Sequence, residues 1–136
     1  MYKSFYQLHS KPFSLLPDSD FLYLGSTHRT AYSLLEYGLL TEAPFMVLTG
    51  DPGTGKTSLL HRLIADNRDT YSIGFLSNAR YDVEYLLPWI LLALGLNTKQ
   101  LDPVEAQHLF AKFLAEQAIR KRRVVLIMDE AQNLGV

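Results

Sequence analysis

The nine residues "GDPGTGKTS", positions 50–58, constrain this chain more than any other stretch. They match G-x-x-x-x-G-K-[ST], and they stand between an apolar run, "PFMVLTG", and a segment with Leu59, Leu60, Leu63 and Ile64 at helical spacing. A strand, then this loop, then a helix is the context in which such a loop wraps a phosphate. Gly50, Gly53 and Gly55 let the backbone curl through conformations that a side chain forbids. The loop N–H groups and the start of the following helix then form an anion cradle. Lys56 reaches the β and γ phosphates, and the Thr57 hydroxyl ligates Mg²⁺. Asp51, Pro52, Thr54 and Ser58 complete the nucleotide-binding stretch. The plainer alternative is a Gly-rich turn with no ligand, and the strand-loop-helix context weighs against it.

The rest of the chain sorts into alternating elements. Residues 1–26, rich in aromatics, Pro and Ser, read as an extended arm. Ser26 or Thr27 caps a helix over 28–37 with Ala31, Leu34 and Leu35 on one face and Gly38 near its end. A buried strand is expected over 45–49, a helix over 56–66 and a second strand over 70–78. Asp82 is placed to cap a third helix reaching Leu94 and ended by Gly95, with Pro88 giving it a kink or a late start. Asp102-Pro103 opens a fourth helix, continuing through Phe110, Phe113, Leu114 and Ala118 towards Arg120. "RVVLIMD", 123–129, is a further buried strand. This order argues for an α/β fold with a parallel sheet. A length of 136 residues suits one domain. Residues 1–42 form its leading arm and helix, and 43–136 its phosphate-loop core.

The last strand carries the second chemical signal. It ends at Asp129, and open α/β sheets place their ligands at the C-terminal ends of strands. An aspartate there suits Mg²⁺, a hard cation that prefers carboxylate oxygen. Glu130 beside it is the candidate base that orients and deprotonates an attacking water. Alone the acidic pair is weak evidence; downstream of Lys56, with room between them for strands and helices, it gains force.

Composition narrows the partners. Thirteen basic and 14 acidic residues leave a net charge of −1, which calls for neither nucleic acid nor an anionic membrane. With no cysteine there are no disulfides or thiolate zinc sites. The most apolar stretch, 85–96, is far shorter than the roughly 20 residues of a membrane helix, so it reads as a buried helix with Trp89 in the core. No signal peptide opens the chain, and the expected compartment is the cytoplasm, any inner-membrane association being made through a part outside this chain. "RKRR", 120–123, reads as a solvated helix end rather than a nucleic-acid patch. The four histidines show no metal-ligand clustering.

Together "GDPGTGKTS" and "VVLIMDEAQNL" resemble the Walker A and Walker B motifs of AAA+ ATPases. The flanks, "KPFSLLPDSDFLYLGSTHRTAYSLLEYGL" and "FMVLTGDPGTGKTSLLHRL", are similar to ATPases of the general secretion pathway protein A type, whose relatives serve pilus and exopolysaccharide-export loci. Transposition ATPases share "DEAQ" more distantly. The resemblance implies a three-layer αβα P-loop fold, truncated here after the Walker B strand, and Mg-ATP hydrolysis. It implies Lys56 on the phosphates, Thr57 and Asp129 at the magnesium and Glu130 as catalytic base. It sets His28 and the Tyr37-Gly38 end of the first helix near adenine, where aromatic packing and a helix cap are equally good readings. It also implies a ring or filament, and secretion or envelope-assembly proteins as partners. The sensor strand, arginine finger and helical lid of the family would follow Val136, so the expectation is the N-terminal part of a longer ATPase, with weak turnover as an isolated chain. The alternatives are a DNA-associated ATPase of transposition type and a nucleotide-binding fragment that does not hydrolyse.

Overall fold

Two uncharged stretches, "SIGFL" and "VVLIM", become the strands of the fold. The computed structural model of the chain describes residue 7 and residues 23–77 and 85–134. Its order is α1 (Ser26–Leu40), α2 (Lys56–Asn67), β1 (Ser72–Leu76), α3 (Leu86–Ala93), α4 (Pro103–Ile119), β2 (Val124–Met128) and a 3₁₀ turn at Ala131–Asn133. The chain forms two compact units, Met1–Leu63 and Ile64–Val136.

In the first unit, α1 starts earlier and ends later than its periodicity suggests. Gly25 is the N-cap, in extended conformation, and no side chain caps the helix, so neither Ser26 nor Thr27 has the expected role. The inward face is Ala31, Leu35, Gly38 and Leu39, spaced at i, i+4, i+7 and i+8, whereas Leu34 is exposed. Gly38 lies within the helix because Met46 crosses it: a Cβ there would stand 2.0 Å from the Met46 sulfur. Residues 45–49 form no strand, contrary to the sequence expectation. The segment alternates, with Phe45 and Val47 81% and 67% exposed and Met46 and Leu48 half-buried, and it joins no ladder. Apolar, β-branched composition marks a segment able to pair; it does not supply the partner whose hydrogen bonds define a strand. Leu59, Leu60 and Leu63 of α2 are buried as their spacing requires.

The second unit is built on a parallel pair. β1 lies beside β2 with Ser72 opposite Val124 and Leu76 opposite Met128. A parallel pair needs a long crossover, and α3 and α4 lie within it. α3 packs on both β1 and α4. The expected cap Asp82 lies outside the described residues. Pro88 produces the late start: α3 begins at Leu86, which puts the proline in the first turn, where its missing N–H costs nothing. Its end is a Schellman turn, with Leu96 N–H donating to Leu91 O and Gly95 N–H to Leu92 O, both at 2.9 Å. Trp89 is not core, being 45% exposed; Leu91 holds the fully buried place instead.

α4 opens on a complete capping box. Glu105 N–H donates to Asp102 Oδ1 at 2.7 Å, Asp102 N–H donates to Glu105 Oε2 at 3.0 Å, and Pro103 takes the first helical position. Its inner stripe runs Ala106, Phe110, Phe113 and Gln117, while Leu114 and Ala118 turn outward. A buried glutamine needs a partner, and Ser72 Oγ donates to Gln117 Oε1 at 2.6 Å. The "RKRR" run is not simply solvated. Arg122 is half-buried, and its Nη2 donates to Arg68 O at 2.7 Å and Tyr71 O at 3.0 Å, tying the entrance of β2 to that of β1. Among the described residues no helix is long and apolar enough to cross a membrane.

These placements rank three substitutions. Leu91→Ala should cost about 2–5 kcal/mol in urea unfolding, as emptying a filled core position does. Asp102→Ala should cost about 1 kcal/mol through the lost cap. Leu92→Ala, one position further on an exposed face, should stay within about 0.5 kcal/mol.

Candidate functional site

A loop that turns its N–H groups towards an anion must find other donors for its carbonyls. Residues 50–55 do so with groups in their own unit. Lys56 Nζ donates to Gly50 O at 2.7 Å and to Asp51 O at 2.8 Å. Thr54 Oγ1 donates to Asp51 O at 2.8 Å, and Thr54 N–H reaches the same oxygen at 3.3 Å. Gly55 O accepts from Leu59 N–H at 3.0 Å, the first helical bond of α2. Thr54 O takes a donor from outside the loop, His28 of α1, whose Nε2 lies 2.7 Å away. A carbonyl oxygen only accepts, so the ring is a tautomer or cation with hydrogen on Nε2.

Local conformation fits the cradle reading. Gly53 and Gly55 sit at φ +77° and +86°, in the left-handed region that glycine enters freely. At Gly55 space matters as well, since a Cβ would lie 3.3 Å from His28 Nε2. The backbone N–H groups of α2 emerge at Lys56, Thr57 and Ser58, directly after the loop, which is where a helix attracts negative charge. Lys56, Thr57 and Ser58 are half-buried, while Gly50, Asp51, Pro52, Gly53 and Thr54 are exposed. The ammonium of Lys56 has three N–H donors, two of them spent on the carbonyls of Gly50 and Asp51. Glycines at positive φ, a helix start and an ammonium at one place are the donor set a polyphosphate needs.

The second unit carries the acidic pair. The ladder runs one step past β2, with Asp129 N–H donating to Leu76 O at 2.9 Å, so Asp129 is fixed at the C-terminal end of the parallel pair. Its Oδ1 accepts from Glu130 N–H at 3.0 Å. Glu130 then departs from regular geometry. Its backbone is left-handed, at φ 55° and ψ 40°, which turns the chain into the 3₁₀ segment. The Glu130 carboxylate accepts a hydrogen bond from the Gln132 amide through Oε2. Asp129 and Glu130 are both half-buried. Among the described residues no three His, Cys, Asp or Glu side chains gather as a metal cage. Mg²⁺ asks for no such cage, since it is commonly held by one or two carboxylates together with substrate phosphates and water. The Thr57 hydroxyl and the Asp129 carboxylate, taken separately, are oxygen donors of the kind such an ion accepts.

The predicted residues thus form two local constellations, the loop 50–58 in the first unit and Asp129-Glu130 in the second. Sequence reading overlooked two participants. Gln132 was within reach as the last residue of "DEAQ", two positions after Glu130. The family resemblance sets His28 near adenine, whereas the structure ties its ring to Thr54 O of the loop, a link between positions 26 residues apart that has no local signature.

Comparison with known proteins finds a family and a relative. The profile of the family described as AAA domain matches residues 40–136. The chain is 35% identical over 140 aligned residues, 98% of its own length, to General secretion pathway protein A of Aeromonas hydrophila, and spans 25% of that relative's length. No solved structure matches it.

The strained residue gives a test that needs no ligand. A left-handed conformation costs a non-glycine residue about 1 kcal/mol, so Glu130→Gly should raise stability by roughly 0.5–1 kcal/mol in urea unfolding. A lower midpoint would mean that Glu130 is not held left-handed in solution.

Proposed function

Because this chain belongs to the AAA domain family, we propose that it binds Mg-ATP and hydrolyses it as the nucleotide module of a secretion or envelope-assembly machine. The observation that carries the reading is the loop 50–55 opening onto α2, with Gly53 and Gly55 at positive φ and the Lys56 ammonium bonded to the carbonyls of Gly50 and Asp51. Gly50, Asp51, Pro52, Gly53, Thr54, Gly55 and Ser58 line the polyphosphate, and Lys56 neutralises its β and γ oxygens. Thr57 and Asp129 would hold Mg²⁺, which would supply positive charge to the phosphate oxygens. Glu130 accepts a proton from the attacking water. The water oxygen bonds to the γ phosphorus as the bond to the β–γ bridging oxygen breaks, leaving ADP and phosphate.

The pathway assignment is supported by the similarity to General secretion pathway protein A. A cytoplasmic location and self-association into a ring or filament belong to the same proposal. A DNA-associated role has less support, because Arg122 of the basic run is engaged with the carbonyls of Arg68 and Tyr71.

Two substitutions separate binding from chemistry. In calorimetric titration with Mg-ATP, Lys56→Ala should abolish measurable binding. Glu130→Gln should bind within a few-fold of the parent while phosphate release falls by about 10²-fold or more, the range for loss of a general base. Unchanged turnover in Lys56→Ala would overturn the assignment. ATP binding with no turnover in the parent protein would leave a nucleotide-binding switch in its place.

A further inference from the structure

We propose that His28 is a positioning residue for the phosphate loop, acting as the hydrogen-bond donor that holds Thr54 O and so keeps the loop closed around its ligand. The proposal deepens the ATP-binding reading and rests on it. His28 lies in α1, ahead of residues 40–136 matched by the AAA domain profile, and the role proposed here, on the loop backbone, differs from the place near adenine that the resemblance implies.

Three observations converge on the ring. Its Nε2 is 2.7 Å from Thr54 O, the one loop carbonyl described above whose donor comes from a different segment of chain. The same nitrogen stands 3.3 Å from the place a Cβ would take at Gly55, so the imidazole occupies the space that the glycine leaves open. Its other nitrogen, Nδ1, lies 3.8 Å from the corresponding place at Gly25, the helix N-cap. The ring thus fills the space beside Gly55, near the N-cap end of α1, and is bonded to the loop through Thr54 O. The N-cap end is itself anchored, since Arg29 N–H donates to Gly25 O at 2.9 Å and Arg29 Nε to Leu24 O at 3.0 Å.

The consequence follows from where the loop's amides face. Thr54 O points away from the cradle when the neighbouring N–H groups point in, and it needs a donor on that outer side. His28 supplies a rigid, aromatic one, with little conformational freedom to lose. Without it, Thr54 O must turn to water, and the loop samples conformations in which its N–H groups no longer converge. Affinity for the polyphosphate then falls by the fraction of time the loop is open. The chemical step, which depends on other residues, changes little once ATP is bound.

The test uses the full-length protein with His28→Ala, His28→Gln and the parent. The glutamine Nε2 reaches about as far as the imidazole Nε2 and can donate in its place. His28→Ala should weaken ATP binding roughly three- to tenfold, the loss of one ordinary hydrogen bond, with kcat within about twofold. His28→Gln should recover most of the affinity. Amide hydrogen exchange without nucleotide gives a second readout. Thr54 and Leu59, whose N–H groups bond to loop carbonyls, should exchange several-fold faster in His28→Ala and near the parent rate in His28→Gln. Parent-like affinity and exchange in His28→Ala would overturn the proposal. Equal losses in both variants would do so too, because a restored N–H donor would then restore nothing. If the parent itself binds no ATP, the ATP reading fails, and the exchange comparison still decides the role of His28.

Discussion

The first unit is organised by a constraint on carbonyls. A chain can wrap an anion with its N–H groups only if the oxygens displaced to the outside are satisfied there. In loop 50–55 the donors are the Lys56 ammonium, the Thr54 hydroxyl, the His28 ring and the first turn of α2. The residue types in the motif are usually explained by what they do to phosphate. Two of them, Lys56 and Thr54, also support the backbone in this structure. A long flexible ammonium suits both tasks, since it bridges two carbonyls in one rotamer and swings to an oxyanion in another. A rigid donor would not allow that exchange.

In the second unit the corresponding constraint is the ladder. Five paired residues in β1 and β2, and one further bond from Asp129 N–H to Leu76 O, carry regular geometry up to the aspartate. Regularity stops at Glu130, whose left-handed backbone breaks the strand direction and brings the side chain within reach of Gln132. Asp129 is thus placed by the sheet and Glu130 by the turn. That division suits their proposed tasks: a metal ligand benefits from a rigid mount, whereas a base must adjust to a water molecule.

The elements most legible in the sequence were those whose signals are local. The helix opening at Asp102-Pro103, the left-handed Gly53 and Gly55 and the strand leading to Asp129 stand where their residues indicate, whereas Gly50 is not at positive φ. What could not be read there depended on partners distant in sequence. Residues 45–49 have the composition of a buried strand yet join no ladder, because pairing belongs to two segments and composition to one. Trp89 looked like core from its apolar neighbourhood, but an eight-residue helix buries only one narrow face, and Leu91 occupies it. Arg122 looked like surface charge and instead satisfies two carbonyls more than 50 positions away.

The same distinction separates the two readings of polar residues in this chain. Asp129 and Lys56 were identified from motifs that name a residue type and a spacing. His28, Gln117, Ser72 and Arg122 belong to no motif, yet each satisfies a group that the fold turns away from water or from its own segment. Such partners are set by the requirement that displaced backbone and buried side-chain groups be bonded, and that requirement becomes visible only once the chain is folded. A motif can therefore specify a cradle while leaving open which distant side chain holds it shut. In this protein the proposed side chain comes from α1, through the contact of His28 Nε2 with Thr54 O, a bond between segments that no motif spells out.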